Sequence, residues 1–95
     1  MERKLQTTII KWLKSKGAYV IKTRPGMGTP AGCPDIIALY RWKHADIEVK
    51  SSATAPYQPG QEPTLNFLRR GNKFVYTAHP DNWPEIQAEL EHDFF

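Results

Sequence analysis

The sequence predicts an α/β fold in which a mixed four-stranded sheet is flanked by helices, in the order αβββαβα. Three observations predict this class. The chain opens and closes with amphipathic stretches of helical spacing. Short runs rich in Val, Ile and Tyr, each of strand length, lie between them. A third helical stretch separates the last of these runs from the first three.

The composition is that of one small globular domain covering residues 1–95. Hydrophobic residues make up 40% of the chain and charged residues 24%, whereas disordered chains are poorer in apolar residues. The single cysteine, Cys33, excludes an internal disulfide framework and is compatible with a reducing compartment. No apolar run reaches the roughly 18 residues of a membrane span, and the N-terminus lacks a signal-peptide core. We therefore expect a soluble, cytoplasmic protein without a membrane partner.

Positive charge is concentrated in the first half of the chain, although the net charge is only +3. Residues 1–50 carry ten Lys or Arg against four Asp or Glu, residues 51–80 carry three against one, and residues 81–95 carry none against five. This asymmetry predicts a surface for a polyphosphate partner such as nucleic acid. An ordinary solvated surface could have the same counts, so charge alone does not decide.

The first predicted helix covers residues 2–16 and ends before Gly17, which suits the position after a helix C-terminus. Glu2 lies in its first turn, where the helix dipole favours an acidic side chain, and at the edge of its buried face. The apolar stripe of this helix comprises Leu5, Ile9, Trp12 and Leu13.

A strand predicted over residues 18–23 leads into a loop, residues 24–34, with three Gly and three Pro. A loop of this length in a small domain is often functional. It contains no G-x-x-x-x-G-K-[ST] pattern, which excludes a P-loop. Lys22 and Arg24 flank its entrance, and we expect both to contact the backbone of a substrate.

Asp35 begins a second strand, residues 35–40, and a connection over residues 41–45 leads to a third strand, residues 46–50. The second strand is apolar on both faces, which predicts a central position. Glu48 and Lys50 are two residues apart and therefore share one face. Two neighbouring carboxylates repel unless a cation lies between them, and Mg²⁺ prefers carboxylate, water and phosphate oxygens. An ordinary charge pair on a strand face is the alternative interpretation.

The remaining elements are a helix, a strand and a last helix. After an irregular stretch over residues 51–59, the helix begins at Pro59 or Glu62 and runs to Arg70, before Gly71. The fourth strand covers residues 73–77. Asn82 and Glu85 resemble a capping box that opens the last helix, whose buried stripe contains Trp83, Ile86 and Leu90.

Two motifs, Gly32-Cys-Pro-Asp35 and Ile47-Glu48-Val49-Lys50, are separated by one hairpin and followed by a helix with Gln61 near its start. In this arrangement the chain resembles the PD-(D/E)xK nuclease superfamily and, within it, the VRR-NUC group of small virus-type and repair nucleases. The resemblance implies a restriction-endonuclease-like core and a phage, viral or cellular DNA endonuclease that depends on Mg²⁺ or Mn²⁺.

The resemblance also implies roles for individual residues. Asp35, Glu48 and the Val49 carbonyl would hold the metal, and Lys50 would position or polarise the attacking water. Gln61 and Glu2 would complete the catalytic set, with Gln58 as a rival for the place of Gln61.

Three functions remain open from sequence: a nuclease acting on branched DNA, a non-catalytic nucleic-acid binder with the same fold, and a protein-interaction module. The intact Asp35, Glu48 and Lys50 favour the nuclease. Cutting two strands symmetrically requires two sites, so a two-fold homodimer is expected for a branched substrate. Its candidate contacts are the Trp42 hairpin and an exposed tail, Phe94-Phe95.

Overall fold

The predicted order of elements is confirmed by the structure, a computed structural model that describes residues 2–24, 30 and 32–95, with only the backbone described for Glu2. In these ranges the elements are α1 Glu2–Ser15, β1 Tyr19–Lys22, β2 Ile36–Tyr40, β3 Lys43–Val49, α2 Gln61–Arg69, β4 Val75–Ala78 and α3 Trp83–Glu89, which continues as a π-helical turn, Leu90–Phe94.

The four strands form one mixed sheet, as predicted, and lie in the order β1-β2-β3-β4. β1 and β2 pair antiparallel, β2 and β3 pair antiparallel, and β3 and β4 pair parallel. The predicted connection over residues 41–45 is wrong, because β3 begins at Lys43 and not at Asp46. A two-residue turn at Arg41 and Trp42 joins β2 to β3, with Arg41 in the left-handed region at φ 58°. Because Ile36 pairs with Ile47, this short hairpin brings Asp35 next to Glu48.

The apolar core lies on one face of this sheet, under α1 and α3. β3 contributes Ala45, Ile47 and Val49, all fully buried, and α1 contributes Ile9 and Leu13. Each fully buried Ile, Leu or Val side chain in this core contributes roughly 1.5–3 kcal/mol. The opposite face is covered by α2 through the buried Leu65. None of the helices within the described ranges is long and apolar enough to cross a bilayer.

The prediction of an exposed C-terminal tail is wrong. Phe94 is fully buried, and Phe95 is half-buried against Trp12 and Tyr40. The π-helical turn, closed by the Phe95 N–H donating to the Leu90 carbonyl at 2.9 Å, lets consecutive aromatic residues pack inward. Of the two predicted dimer contacts, only Trp42 lies on the surface, with 84% of its area exposed.

Phe94→Ala should lower the free energy of unfolding by about 3–5 kcal/mol, since truncating a buried aromatic leaves a cavity. Its ring lies 5.1 Å from that of Phe74 and 6.1 Å from that of Tyr40. Urea unfolding followed by circular dichroism measures the loss. Trp42→Ala is the control and should change stability by less than about 0.5 kcal/mol. Equal stability of Phe94→Ala and wild type would contradict a buried C-terminus.

The boundaries of two later elements differ from the predicted ones. Gly60, at φ 85°, precedes α2, so the start at Pro59 is wrong and Gln61 is the first helical residue. β4 begins two residues later than predicted because its parallel pairing starts where Val75 lies opposite Asp46.

The predicted capping box at α3 is also wrong. The Asn82 side chain makes no bond to the helix N-terminus. Its oxygen accepts from the His79 N–H at 2.8 Å, and its amide donates to the Thr77 carbonyl at 2.9 Å. Asn82 therefore fixes the turn between β4 and α3.

Candidate active site

The face of β3 turned away from the apolar core carries a row of charged residues. Asp46, Glu48 and Lys50 alternate with the core residues and are only 3%, 4% and 8% exposed. Charged side chains are seldom buried without partners or a function. The end of the row formed by Glu48 and Lys50 lies where β2 begins and α2 starts.

Asp35 lies at this end of the row, immediately before β2. Its Oδ2 accepts from the Val49 N–H at 2.9 Å, which ties the carboxylate to the last residue of β3. Burial raises the pKa of Asp35. Hydrogen bonds from Val49, Gln6 and Glu48 and the positive charge of Lys22 oppose that rise. Asp35 and Glu48 therefore share one site, where two carboxyl groups need either a proton or a cation between them.

Gln61 connects this site to α2. Its amide nitrogen donates to Glu48 Oε2 at 2.5 Å, and its oxygen accepts from the Gln58 N–H at 2.7 Å. Its position as first residue of α2 aims the side chain at the sheet. The exposed Gln58 supplies only its backbone to this contact, so the structure brings Gln61, and not its rival, to the carboxylates.

Lys50 follows β3 and is fixed from two sides. Its N–H donates to the Ala78 carbonyl at 2.8 Å, which extends the pairing with β4. Its ammonium lies 4.1 Å from the centre of the Tyr57 ring, and the Tyr57 hydroxyl bonds Thr77 at 2.9 Å. A cation over an aromatic face keeps its charge while losing water. Tyr57 therefore orients the buried ammonium on the same face as Glu48.

The end of the glycine-rich loop packs against the start of α2. Gly32 has φ 81°, and a Cβ there would lie 2.2 Å from the Gly60 carbonyl oxygen. Thr23 anchors the loop through its N–H to the Asp35 carbonyl at 2.9 Å and its hydroxyl to the Pro34 carbonyl at 2.6 Å. This close packing holds the loop just before Asp35 against the start of α2.

A solved structure described as "VRR_NUC domain" is similar to this chain over nearly its full length. The two share 23% sequence identity, the match covers 97% of this chain and 96% of the other, and the TM-score is 0.72. The chain has the VRR-NUC fold. No protein-family model matches the sequence, and no curated protein matches it. The likeness confirms the predicted restriction-endonuclease-like architecture.

Within the VRR-NUC fold of this chain, the predicted site residues fall into a group around the two carboxylates and an exposed basic pair at the end of β1. Asp35, Glu48 and Gln61 are joined by hydrogen bonds, and Lys50 lies on the same face of the sheet. Lys22 is exposed at the end of β1, close enough for its charge to act on Asp35. Arg24 is exposed beyond it, and no contact to the carboxylates is described for its side chain. The side chain of Glu2 lies outside the described ones.

Three neighbours of the site were not found from sequence. Gln6, one turn after Glu2 on α1, makes a hydrogen bond to the Asp35 carboxyl. The Tyr57 ring lies beneath the Lys50 ammonium. Cys33 has a pKa raised by burial and by the charges of Asp46, Glu48 and Asp35, so its thiol stays protonated. Helical periodicity could have indicated Gln6, because it lies within one turn of Ile9 and Ile10 on α1. No local pattern could have indicated Tyr57, because it lies in an irregular segment.

The oxygen-rich donor set of Asp35 and Glu48 fits a hard divalent cation. Among the described residues there is no group of three or more His, Cys, Asp or Glu side chains that could hold a metal. Two carboxylates and a backbone carbonyl nevertheless suit Mg²⁺, which keeps several waters and takes its remaining ligands from substrate phosphate. Because burial raises the pKa of Asp35 beside Glu48, a cation bound between the two carboxylates would offset the charge repulsion there.

Gln61→Leu should lower the free energy of unfolding of the metal-free protein by about 1–3 kcal/mol. The variant leaves the buried Glu48 oxygen and the Gln58 N–H without the amide that each contacts. Gln58→Leu, which changes an exposed side chain, is the matched control and should have almost no effect. Urea unfolding in EDTA measures both. A Gln61→Leu variant as stable as the control would mean that the amide does not organise the site.

Proposed function

We propose that this chain is a divalent-metal-dependent nuclease that hydrolyses phosphodiester bonds of DNA, acting as a structure-selective endonuclease on branched substrates. The observation that carries the proposal is the convergence of Asp35, Glu48, Gln61 and Lys50 at one end of the buried charged row. A charge pair that served stability alone would not need two carboxylates in contact with each other. The VRR-NUC fold supports a nucleic-acid substrate.

Asp35, Glu48 and the carbonyl of Val49 would hold Mg²⁺ or Mn²⁺. When bound, the ion supplies Lewis acidity toward a phosphate oxygen and lowers the pKa of a coordinated water. Gln61 holds the Glu48 carboxylate in place through its 2.5 Å bond and keeps it aimed at the site. Gln6 does the same for Asp35, and Glu2 is a further candidate on the same helix.

Lys50 acts on the charge that develops during hydrolysis. Its ammonium, held over Tyr57, donates to the attacking water or to a non-bridging phosphate oxygen. The attacking water gives up a proton to solvent as its oxygen bonds to phosphorus, the bond from phosphorus to the leaving deoxyribose oxygen breaks, and that oxygen takes up a proton from solvent. Because Lys50 is buried, its charge is screened less than a surface charge would be.

Lys22 and Arg24 would contact the DNA backbone beside the cleaved phosphate. Both are exposed, and Lys22 already acts electrostatically on Asp35. Their role is affinity, because phosphate contacts by basic side chains release counterions. Symmetric cutting of a branched substrate would require two copies of this site in a homodimer, with the exposed Trp42 hairpin as a candidate contact.

Incubation of purified protein with labelled single-stranded, duplex, flap and four-way-junction DNA, and with matched RNA, tests the proposal. We expect cleavage with Mg²⁺ or Mn²⁺, none in EDTA, and faster cleavage of branched DNA than of duplex. Light scattering on the same samples reports the number of copies. Binding without cleavage in either metal would instead identify a non-catalytic binder, and absence of both would identify an interaction module.

A further inference from the structure

A concave site lies at the opposite end of the buried charged row from Asp35. It is a pocket of about 360 Å³ between the C-terminal end of α2 and the beginning of β3. This volume lies at the small end of the range for ligand sites and suits a group the size of one nucleotide. The residues that line it are His44, Phe67, Leu68, Arg70, Gly71 and Asn72.

Two residues of the pocket lining, His44 and Asn72, contact a buried carboxylate, Asp46, that the proposed hydrolysis does not use. Asp46 Oδ1 contacts His44 Nδ1 at 3.2 Å, and its Oδ2 accepts from the Asn72 amide at 3.3 Å. The same Asn72 amide donates to the His44 carbonyl at 2.8 Å. Asp46 and Asn72 therefore fix the His44 ring, whose side chain is still 45% exposed.

The wall and rim of the pocket combine an exposed aromatic ring with positive charge. Phe67 is 67% exposed on α2, although its helix buries Leu65 two residues earlier. Arg70 is exposed at the end of the same helix. The two residues of the lining that can carry charge, His44 and Arg70, are both basic. An aromatic face suits a nucleobase, and a guanidinium suits a phosphate.

We propose that this pocket binds one nucleotide of the substrate strand, with its base stacked on Phe67 and its phosphate contacted by Arg70 and His44. The proposal rests on the proposed nuclease function and specifies how that activity holds its substrate. His44 and Glu48 are four residues apart on β3, or about 13 Å. This corresponds to roughly four base-pair steps of a DNA duplex. The pocket would therefore fix how far from the held nucleotide the strand is cut.

The test is the affinity of labelled single-stranded DNA, measured by fluorescence anisotropy in EDTA across a range of salt concentrations. Phe67→Ala should weaken binding roughly tenfold without changing the salt dependence, since stacking releases no counterions. Arg70→Ala should weaken binding and lower the salt slope by about one. Circular dichroism verifies that both variants, which change exposed residues, remain folded.

Two matched controls separate this pocket from general surface effects. Arg69 is the neighbouring arginine, but it donates to Asn66 at 3.1 Å and does not line the pocket. Tyr19 is an equally exposed aromatic residue on β1. Arg69→Ala and Tyr19→Ala should both bind DNA more tightly than the corresponding pocket variants. Equal losses for the two arginines, or for the two aromatic residues, would overturn the proposal.

Failure of the pocket and failure of the nuclease function give different results. Wild-type cleavage together with unchanged DNA affinity in Phe67→Ala and Arg70→Ala would overturn the pocket and leave the nuclease intact. If the wild-type protein cleaves no DNA but these variants selectively lose DNA affinity, the pocket is supported as a nucleic-acid site. The proposed nuclease function is then contradicted. If Phe67→Ala changes only the mass measured by light scattering, the pocket is a contact between copies and the proposal is wrong.

Discussion

Asp35→Asn and Glu48→Gln are each expected to abolish binding of Mg²⁺ or Mn²⁺ and to reduce cleavage by a thousandfold or more. A neutral amide cannot offset the charge of the ion, and metal stabilisation of the transition state is worth on the order of several kcal/mol. Calorimetric metal titration and single-turnover cleavage measure the two losses.

Both variants should remain folded. An amide oxygen at position 35 can still accept from the Val49 N–H. Burial raises the pKa of Asp35, which means that its charged form is disfavoured in the folded chain. Asp35→Asn removes that charge, so we expect its metal-free urea midpoint to equal or exceed that of wild type.

Asp46→Asn is the matched control for these two substitutions. It removes a buried carboxylate from the same strand and the same face, but one that contacts His44 and Asn72. Metal affinity should persist in this variant. A loss as large as that of Glu48→Gln would show that the total negative charge of the row, and not ligation by Asp35 and Glu48, sets the affinity.

Lys50→Met should differ from the two carboxylate variants in metal affinity but resemble them in its loss of cleavage rate. Metal affinity should persist or increase, because a positive charge near the carboxylates disappears. The cleavage rate should fall by roughly a hundred- to a thousandfold, the usual effect of removing one group that stabilises transition-state charge. Methionine retains the length of the stem and packs well against the Tyr57 ring, so stability should change little.

Two further variants distinguish a catalytic lysine from a general electrostatic effect. Lys43→Met changes the first residue of β3, a lysine whose ammonium lies 5.5 Å from the centre of the Phe94 ring. It should leave the rate unchanged. Tyr57→Leu removes the ring beneath the Lys50 ammonium and should lower the rate partially without changing metal affinity. Equal rates for Lys50→Met and Lys43→Met would contradict the assigned role of Lys50.

The sequence was sufficient for the carboxylate and lysine positions because strand alternation and a short hairpin determine them. Glu48 and Lys50 share a face at a spacing of two, and the two-residue turn at Arg41 aligns Asp35 with them. Gln61 followed from the helical stripe that it shares with Leu65. These relations are local, or they cross a single turn, so periodicity could indicate them, but only the structure decides between Gln61 and Gln58.

Other features depended on tertiary packing that no local pattern encodes. Phe94 lies near the end of the chain, where exposure is the usual expectation, but its ring fills a gap between Phe74 and Tyr40. Asn82 had the residue type of a helix cap, and its side chain instead bonds the preceding turn. Tyr57 reaches Lys50 from an irregular segment whose path depends on the rest of the fold.

Titration of Mn²⁺ into the metal-free wild-type protein by calorimetry, with and without uncleavable DNA, tests the central claim most directly. We predict that one ion binds per chain and that Asp35→Asn loses this binding. The ion should bind more tightly in the presence of DNA, because the phosphate supplies further ligands. Wild-type protein that binds no divalent ion under either condition would contradict the assignment of Asp35 and Glu48 as a metal site and the nuclease function that depends on it.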